Sequence, residues 1–150
     1  MSTHEYQLLI RHEMWANQRI AQAVLNLEEM PSKVSILMNH VIGAQHVWIS
    51  RINGVVPTIG VFPQLDQDTW YEQIVQHESA LLKIASSDQN LKRNISYQNT
   101  SGQSFQNPVS ELLLHLAMHS QYHRGQIVAY SRDLLDVVPS TDMIAFLRLV

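Results

Sequence analysis

The 150-residue chain contains no cysteine, only five glycines and five prolines, and no strong excess of either charge. Without cysteine it can form no disulfide, supply no thiolate ligand to a metal and use no cysteine nucleophile. A formal charge of -3 and an isoelectric point near 6.2 give no basic surface for phosphates, so nucleic-acid binding is not expected. The scarcity of glycine and proline favours helices over sheets.

The sequence also lacks the features of a membrane or exported protein. No apolar run reaches the roughly 18 residues that a membrane-spanning helix needs. The N-terminal stretch MSTHEYQLLIRHEMW has no basic segment followed by an uninterrupted apolar run. We therefore expect a cytoplasmic protein without a membrane partner, and the length fits a single domain over residues 1–150.

Apolar periodicity predicts four long helices, at about residues 3–26, 33–53, 68 or 69 to 85, and 108–130. Cap residues set their predicted starts. These caps are capping boxes at Ser2–Glu5 and Thr69–Glu72, an N-cap at Ser32, and an N-cap at Asn107 with Pro108 in the first helical position. The pair Asn53-Gly54 is expected to end the second helix.

Between the third and fourth helices the pattern changes from helical to strand-like. Residues 94–97, a turn at residues 99–102 and residues 104–105 predict a short β-hairpin. After Pro139, the cap residues 140–142 precede a short last helix at 143–149. The predicted fold class is all-α: a four-helix bundle with a β-hairpin between helices 3 and 4 and a short C-terminal helix.

The fourth helix carries His115, His119 and His123 on the stripe that a helix normally buries. Two histidines four residues apart can both reach one divalent ion. The outer two cannot do so together, because eight residues separate them by about 12 Å along the axis. The helix therefore offers either the His115/His119 pair or the His119/His123 pair.

Other histidines differ in their expected surroundings. His40 lies on the apolar face of the second helix, whereas His46 lies on another side. We expect His12 to be a hydrogen-bonded residue at the edge of the core and His77 to be a solvated surface residue. Helix bundles build metal sites from inward residues of facing helices, which makes His40 a candidate partner of the fourth-helix pair. Several buried histidines facing each other are difficult to satisfy without an ion.

Three segments resemble motifs of the DinB/YfiT-like family: HSQYHRGQ at residues 119–126, LMNHVIGAQHVW at 37–48 and MWAN at 14–17. The resemblance covers nearly the whole chain. It implies a four-helix bundle, often a homodimer, in which three histidines hold a divalent metal and leave coordination positions open. Carried over by position, the ligands are His40, His119 and His123, and His115 matches a family histidine that is not usually a ligand.

The same resemblance implies a function. Relatives with known activity are mostly S-transferases or isomerases that use a low-molecular-weight thiol, and many members have no assigned reaction. We therefore expect a metal-dependent thiol S-transferase or a hydrolase acting on a small-molecule substrate, with zinc or nickel as the metal. No inward carboxylate is apparent near the three histidines, which favours thiol transfer slightly.

The alternative to an enzyme is a non-catalytic, metal-containing bundle that serves as a stress-related scaffold. The sequence assigns no role to four residues that lie in or near these motifs: His12, His115, Arg124 and Gln126. Two further polar residues, Glu13 and Asn17, are expected to lie off the centre of the first helix's apolar face or to point away from it.

Overall fold

The fold was described from a computed structural model, which covers residues 1–99 and 101–150. The elements in chain order are α1 (Thr3–Leu25), α2 (Ser32–Asn53), α3 (Trp70–Ile84), α4 (Asp88–Lys92), β1 (Asn94–Gln98), β2 (Ser104–Pro108), α5 (Val109–Ser131) and α6 (Met143–Leu147). The predicted fold class is confirmed: the chain is mostly helical, with one short hairpin before the last long helix. Within the described ranges, no helix combines the length and the apolar character that crossing a bilayer requires.

Two predicted helix boundaries have the expected chemistry. The Ser2 hydroxyl accepts a hydrogen bond from the Glu5 backbone N–H, and the Glu5 carboxylate accepts one from the Ser2 backbone N–H. This capping box satisfies backbone groups at the start of α1. Gly54 ends α2 in a left-handed conformation, with φ of 69°, which glycine adopts without a steric cost.

Three predicted caps are wrong. Pro31, not Ser32, is the N-cap of α2, and Ser32 is its first helical residue. Thr69 makes no side-chain cap, because a turn of 3-10 helix at Gln67–Thr69 precedes α3 and is capped by Asp66. Pro108 is the N-cap of α5, since Asn107 belongs to β2.

The hairpin connects directly to α5. Its strands pair antiparallel, with Ile95 opposite Asn107 and Tyr97 opposite Phe105. The Tyr97 hydroxyl donates a 2.8 Å hydrogen bond to Asn107 Oδ1. The predicted turn at 99–102 includes Thr100, which lies outside the described residues. The sequence pattern did not predict the short helix α4, which precedes β1.

The four long helices pack as a bundle in which α2 and α5 are neighbours and α1 contacts both α3 and α5. Apolar residues from all four fill the interior, including Met14, Ile42, Ile74 and Leu116. Trp70 is fully buried, and its indole N–H donates a 2.7 Å hydrogen bond to Asn39 Oδ1. The contact of α2 with α5 places His40 opposite the histidines of α5.

Four of the buried polar side chains, one from each long helix, form a polar layer in the interior: Glu13, Gln45, His77 and Ser120. The Gln45 amide and the Ser120 hydroxyl both donate to Glu13 Oε1, at 2.8 and 2.7 Å. His77 Nδ1 donates to Gln45 Oε1 at 3.2 Å.

The polar layer corrects two predictions. Glu13 does not point away from the core, and His77 is not a surface residue, because their side chains are only 2% and 5% exposed. Burial raises the pKa of Glu13 above its ordinary value, although the hydrogen bonds from Ser120 and Gln45 oppose that shift. Burial lowers the pKa of His77 to about 4.

Candidate metal centre

His40 is oriented by the segment that follows α2. Its Nδ1 lies 2.7 Å from the carbonyl oxygen of Val61, and since a carbonyl only accepts, Nδ1 carries the proton. The ring of Phe62 stacks on the imidazole, with centroids 4.1 Å apart. These contacts leave Nε2 of His40 directed towards α5, where it lies 3.1 Å from Nε2 of His119.

His119 and His123 are four residues apart on α5, so both project towards α2. Their ring centroids are 4.5 Å apart, and that of His123 is 4.6 Å from that of His40. One ring nitrogen from each of the three histidines lies within 4.8 Å of the others. The structure thus brings together the three residues that the family resemblance implied.

The second nitrogen of His123 also has an oxygen partner. Its Nδ1 lies 2.7 Å from Oε1 of Gln126, one helical turn further along α5. A metal-bound histidine usually donates its other ring N–H to an oxygen in this way, which fixes the ring and leaves Nε2 for the ion. Val61 and Gln126 are therefore the acceptors that sequence reasoning could not name.

The donor set fits a divalent metal. A ligand histidine must be neutral, and burial, together with the neighbouring His123 and His40, lowers the pKa of His119 to about 4. Burial also lowers the pKa of His40. His119 and His123 are half-buried, which leaves an approach from solvent. The three-histidine group could hold a metal ion with a further coordination position open.

The remaining predicted histidines lie outside this group. His115 is exposed, and its ring centroid lies 5.6 Å from those of both Trp48 and His119. His46 accepts a 3.2 Å hydrogen bond from the backbone N–H of Thr58. His12 is buried, and its Nε2 donates to the Thr141 carbonyl at 2.8 Å, which confirms the expected hydrogen-bonded role.

Sequence reasoning missed a cationic side chain that packs on aromatic residues between the hairpin and α2. Arg51 lies over the rings of Trp48 and Tyr97, at 4.7 and 5.4 Å from their centroids. The guanidinium also donates to the Gln98 carbonyl. Since Trp48 contacts His115 and His115 contacts His119, these aromatic residues extend from the hairpin to the histidine group.

Comparisons with known proteins agree with the geometry. The chain matches the DinB family over residues 1–149. It is similar to Protein DinB of Bacillus subtilis (strain 168), with 27% identity over 146 residues that cover 83% of each chain. No solved structure matches the chain significantly.

Proposed function

The chain belongs to the DinB family, and from that membership and its three-histidine group we propose that it is a divalent-metal-dependent enzyme. In this proposal His40, His119 and His123 hold the metal, and the reaction joins a small thiol or water to a small electrophile. The observation that carries the proposal is the convergence of three imidazoles, with one ring nitrogen of each within 4.8 Å of the others and two of the rings only half-buried.

The chain's own residues prepare the site. Val61 and Gln126 hold the rings of His40 and His123 by their Nδ1 protons, so that their Nε2 atoms face the coordination point. When bound, a divalent ion would act as a Lewis acid that stabilises a thiolate or lowers the pKa of water. Three nitrogen ligands suit zinc or nickel, which we propose as the metals.

Thiol transfer is the reaction that we favour over hydrolysis. Within the described residues, the group that could hold a metal contains no carboxylate. Glu13 is buried but is bonded to Gln45 and Ser120 in the polar layer. Hydrolysis usually needs a positioned base for the attacking water, whereas a thiol becomes a nucleophile on losing its proton to solvent.

The first test is the metal content of protein purified without a metal-affinity column. We expect about one metal per chain in the wild type, and loss of most of it in His40→Ala and His123→Ala. His46→Ala is the matched control, because His46 bonds to Thr58 outside the group. A folded wild type without metal, or equal loss in all three variants, would refute the proposed ligands.

The second test separates the two reactions. Metal-loaded protein would be assayed with a low-molecular-weight thiol and chlorodinitrobenzene, and separately with p-nitrophenyl acetate and no thiol. Faster thiol conjugation that disappears in His123→Ala supports the transferase, and metal-dependent ester cleavage alone supports the hydrolase.

A non-catalytic metal-containing bundle is the second candidate function. One observation favours it: most of the α5 residues that line a cavity of about 510 Å³ face away from His119, and none of the three histidines lines it. Stoichiometric metal without turnover of either substrate class would support this candidate against the enzyme.

We also propose that the chain forms a homodimer, as the family resemblance implies. Its mass is 17.2 kDa, so light scattering during gel filtration distinguishes one chain from two. Apolar side chains such as Val56 and Val137 are exposed and are available to an interface. A monomer at micromolar concentration would contradict this proposal.

A further inference from the structure

A second candidate site lies between α1, α5 and the C-terminal segment that includes α6. Its cavity of about 510 Å³ is within the range of small-molecule sites. Ala117, Met118 and Gln121 line it from α5. Gln121 lies about 200° around the helix from His119, so most of the cavity faces a different side of α5 from the histidine group. Tyr122, which also lines the cavity, connects the two regions, since its ring centroid is 5.1 Å from that of His123.

One end of the cavity is polar and rich in hydrogen-bond donors. Arg124 lines it and is 3% exposed. The guanidinium donates through Nη1 to Asn17 Oδ1 at 2.7 Å and through Nη2 to Gln121 Oε1 at 2.6 Å. In the part of the chain that the structure describes, Nε of Arg124 and Nδ2 of Asn17 have no partner.

These contacts correct the prediction for Asn17, which is 1% exposed and does not point away from the core. They also give Arg124 a defined place between α1 and α5, which the sequence left open. Buried polar groups are normally paired, and an unpaired donor costs free energy. Nε of Arg124 and Nδ2 of Asn17 are closed to solvent, but the guanidinium carries five N–H donors and makes only two side-chain hydrogen bonds among the described residues. A ligand that ends in an acceptor oxygen would therefore give it a further partner at this end of the cavity.

The charged and apolar residues that line the cavity indicate which class of ligand it can bind. Two acidic side chains, Glu13 and Asp142, line it together with one cation, Arg124. Even if buried Glu13 is uncharged, Asp142 offsets the charge of Arg124, so a carboxylate ligand gains no net attraction to compensate for its loss of hydration, whereas an uncharged carbonyl has a smaller cost. Leu9, Met118 and Met143 supply apolar walls.

We propose that this cavity binds a small, uncharged, mainly apolar molecule whose carbonyl oxygen accepts a hydrogen bond at the Arg124 end. The site contains none of the three proposed metal ligands, although Tyr122 in its lining contacts His123, and it does not depend on the proposed enzymatic activity. Its walls come partly from the C-terminal segment, which is tied to α1 by the bond from His12 to Thr141 and by one from Arg19 to Ser140.

The test uses full-length protein carrying methyl-labelled methionine, observed by NMR during titration with benzamide. Met118 and Met143 line the cavity, whereas Met38 is buried in the core and serves as an internal reference. We expect saturable shifts of Met118 and Met143 in the millimolar range, with Met38 unchanged. Benzoate has the same ring but a negative charge, and we expect it to bind several-fold more weakly.

Phenylalanine variants test whether benzamide binds in this cavity. Ala117→Phe places a ring in the cavity, and Ala129→Phe places the same ring at an exposed position of α5 away from it. We expect the Met143 shift to be lost in Ala117→Phe and retained in Ala129→Phe. Leu9→Phe, which fills the cavity from α1, is expected to act like Ala117→Phe and replaces it if that variant does not fold.

Three results would overturn the proposal: no saturable shift with benzamide, an undiminished Met143 shift in a folded cavity-filling variant, or equal binding of benzoate. Metal content is expected to be the same in Ala129→Phe and in wild type. The outcome of this titration is therefore independent of the tests of the metal centre.

Discussion

At the level of single residues, the proposed ligands are held by oxygen atoms that lie outside the three-histidine group. His40 donates to a backbone carbonyl, Val61, whereas His123 donates to a side chain, Gln126. The side-chain acceptor can be changed by mutation without altering the backbone. Gln126 therefore offers the more direct test of how orientation of the rings contributes to metal affinity.

Replacing Gln126 by Leu removes the acceptor of the His123 Nδ1 proton. We expect metal affinity to fall by about 10- to 100-fold, the usual effect of losing such a partner. Competition with a fluorescent chelator measures this. Gln126→Glu keeps an oxygen acceptor and is expected to retain much of the affinity, so equal losses in both variants would contradict the role assigned to Gln126.

His77 makes stability depend on pH. Burial lowers its pKa to about 4 in the folded chain, whereas an unfolded histidine titrates near 6.5. Between these values the unfolded state binds more protons, so stability falls as the pH is lowered from 6.5 towards 4. The contribution of His77 lowers the free energy of unfolding by at most about 3 kcal/mol between pH 7 and pH 4.

Urea unfolding of wild type and His77→Gln at pH 7 and at pH 4.5 measures this contribution. His46, whose ring centroid is 6.1 Å from that of His77, and Glu13 are present in both proteins. The difference between the two proteins therefore isolates His77. We expect the loss of stability on acidification to be smaller in His77→Gln, and parallel losses would show that His77 is not the cause.

The positions of the three histidines were easier to predict from the sequence than those of the buried polar residues, for a physical reason. Spacing along one helix shows which side chains share a face; it left the pairs His115/His119 and His119/His123 open, and the family resemblance implied the second pair. His77 was misjudged because Gln76 and Glu78, its polar neighbours in sequence, point elsewhere on the helix. Its partner Gln45 is 32 residues away in sequence and only the folded bundle brings them together.

At the level of elements, the close approach of the segment after α2 to the helix itself depends on Gly43. A Cβ at that position would lie 2.5 Å from Cδ of Pro63 and 2.7 Å from the carbonyl oxygen of Gly60. Any larger residue would therefore displace the segment. Since Val61 follows Gly60 directly, this displacement would move the acceptor of His40.

We expect Gly43→Ala to destabilise the fold by about 1–3 kcal/mol despite alanine's higher helix propensity, and to weaken metal binding. The matched control is Gly125→Ala, because a Cβ there meets nothing within 4 Å and Gly125 is exposed on α5. That variant is expected to be more stable than wild type by about 0.5–1 kcal/mol. Thermal unfolding measures both, and a stabilising Gly43→Ala would refute the packing argument.

The four predicted long helices are present at the expected places, but three of the predicted N-terminal caps are not. Pro108 fits the first position of a helix, and the sequence cannot show that β2 continues through it. The register of the hairpin makes Pro108 the last residue of β2, since Pro108 lies opposite Asn94 in β1. Cap residues are a local signal, whereas the register of strands depends on the partner strand.

At the level of the whole molecule, apolar stripes on long helices were enough to predict a bundle, but not the polar layer inside it. The layer takes one residue from each long helix, so no helix shows it by itself. Glu13 and Gln45 each look like the polar side of an amphipathic helix in sequence. Their burial is tolerated because the Gln45 amide donates a hydrogen bond to the Glu13 carboxylate, so neither group is left unpaired.

Glu13 is the centre of this layer, so its replacement is expected to affect the packing of all four long helices. Glu13→Ala leaves the Gln45 and Ser120 donors unpaired and removes the negative charge near Arg124. We expect a loss of about 3–5 kcal/mol in the free energy of unfolding, measured with urea. Glu13→Gln keeps an acceptor oxygen at the same position and should lose distinctly less. If the alanine variant lost under about 1 kcal/mol, or both variants lost the same amount, the hydrogen bonds to Glu13 would not be what stabilises the bundle interior.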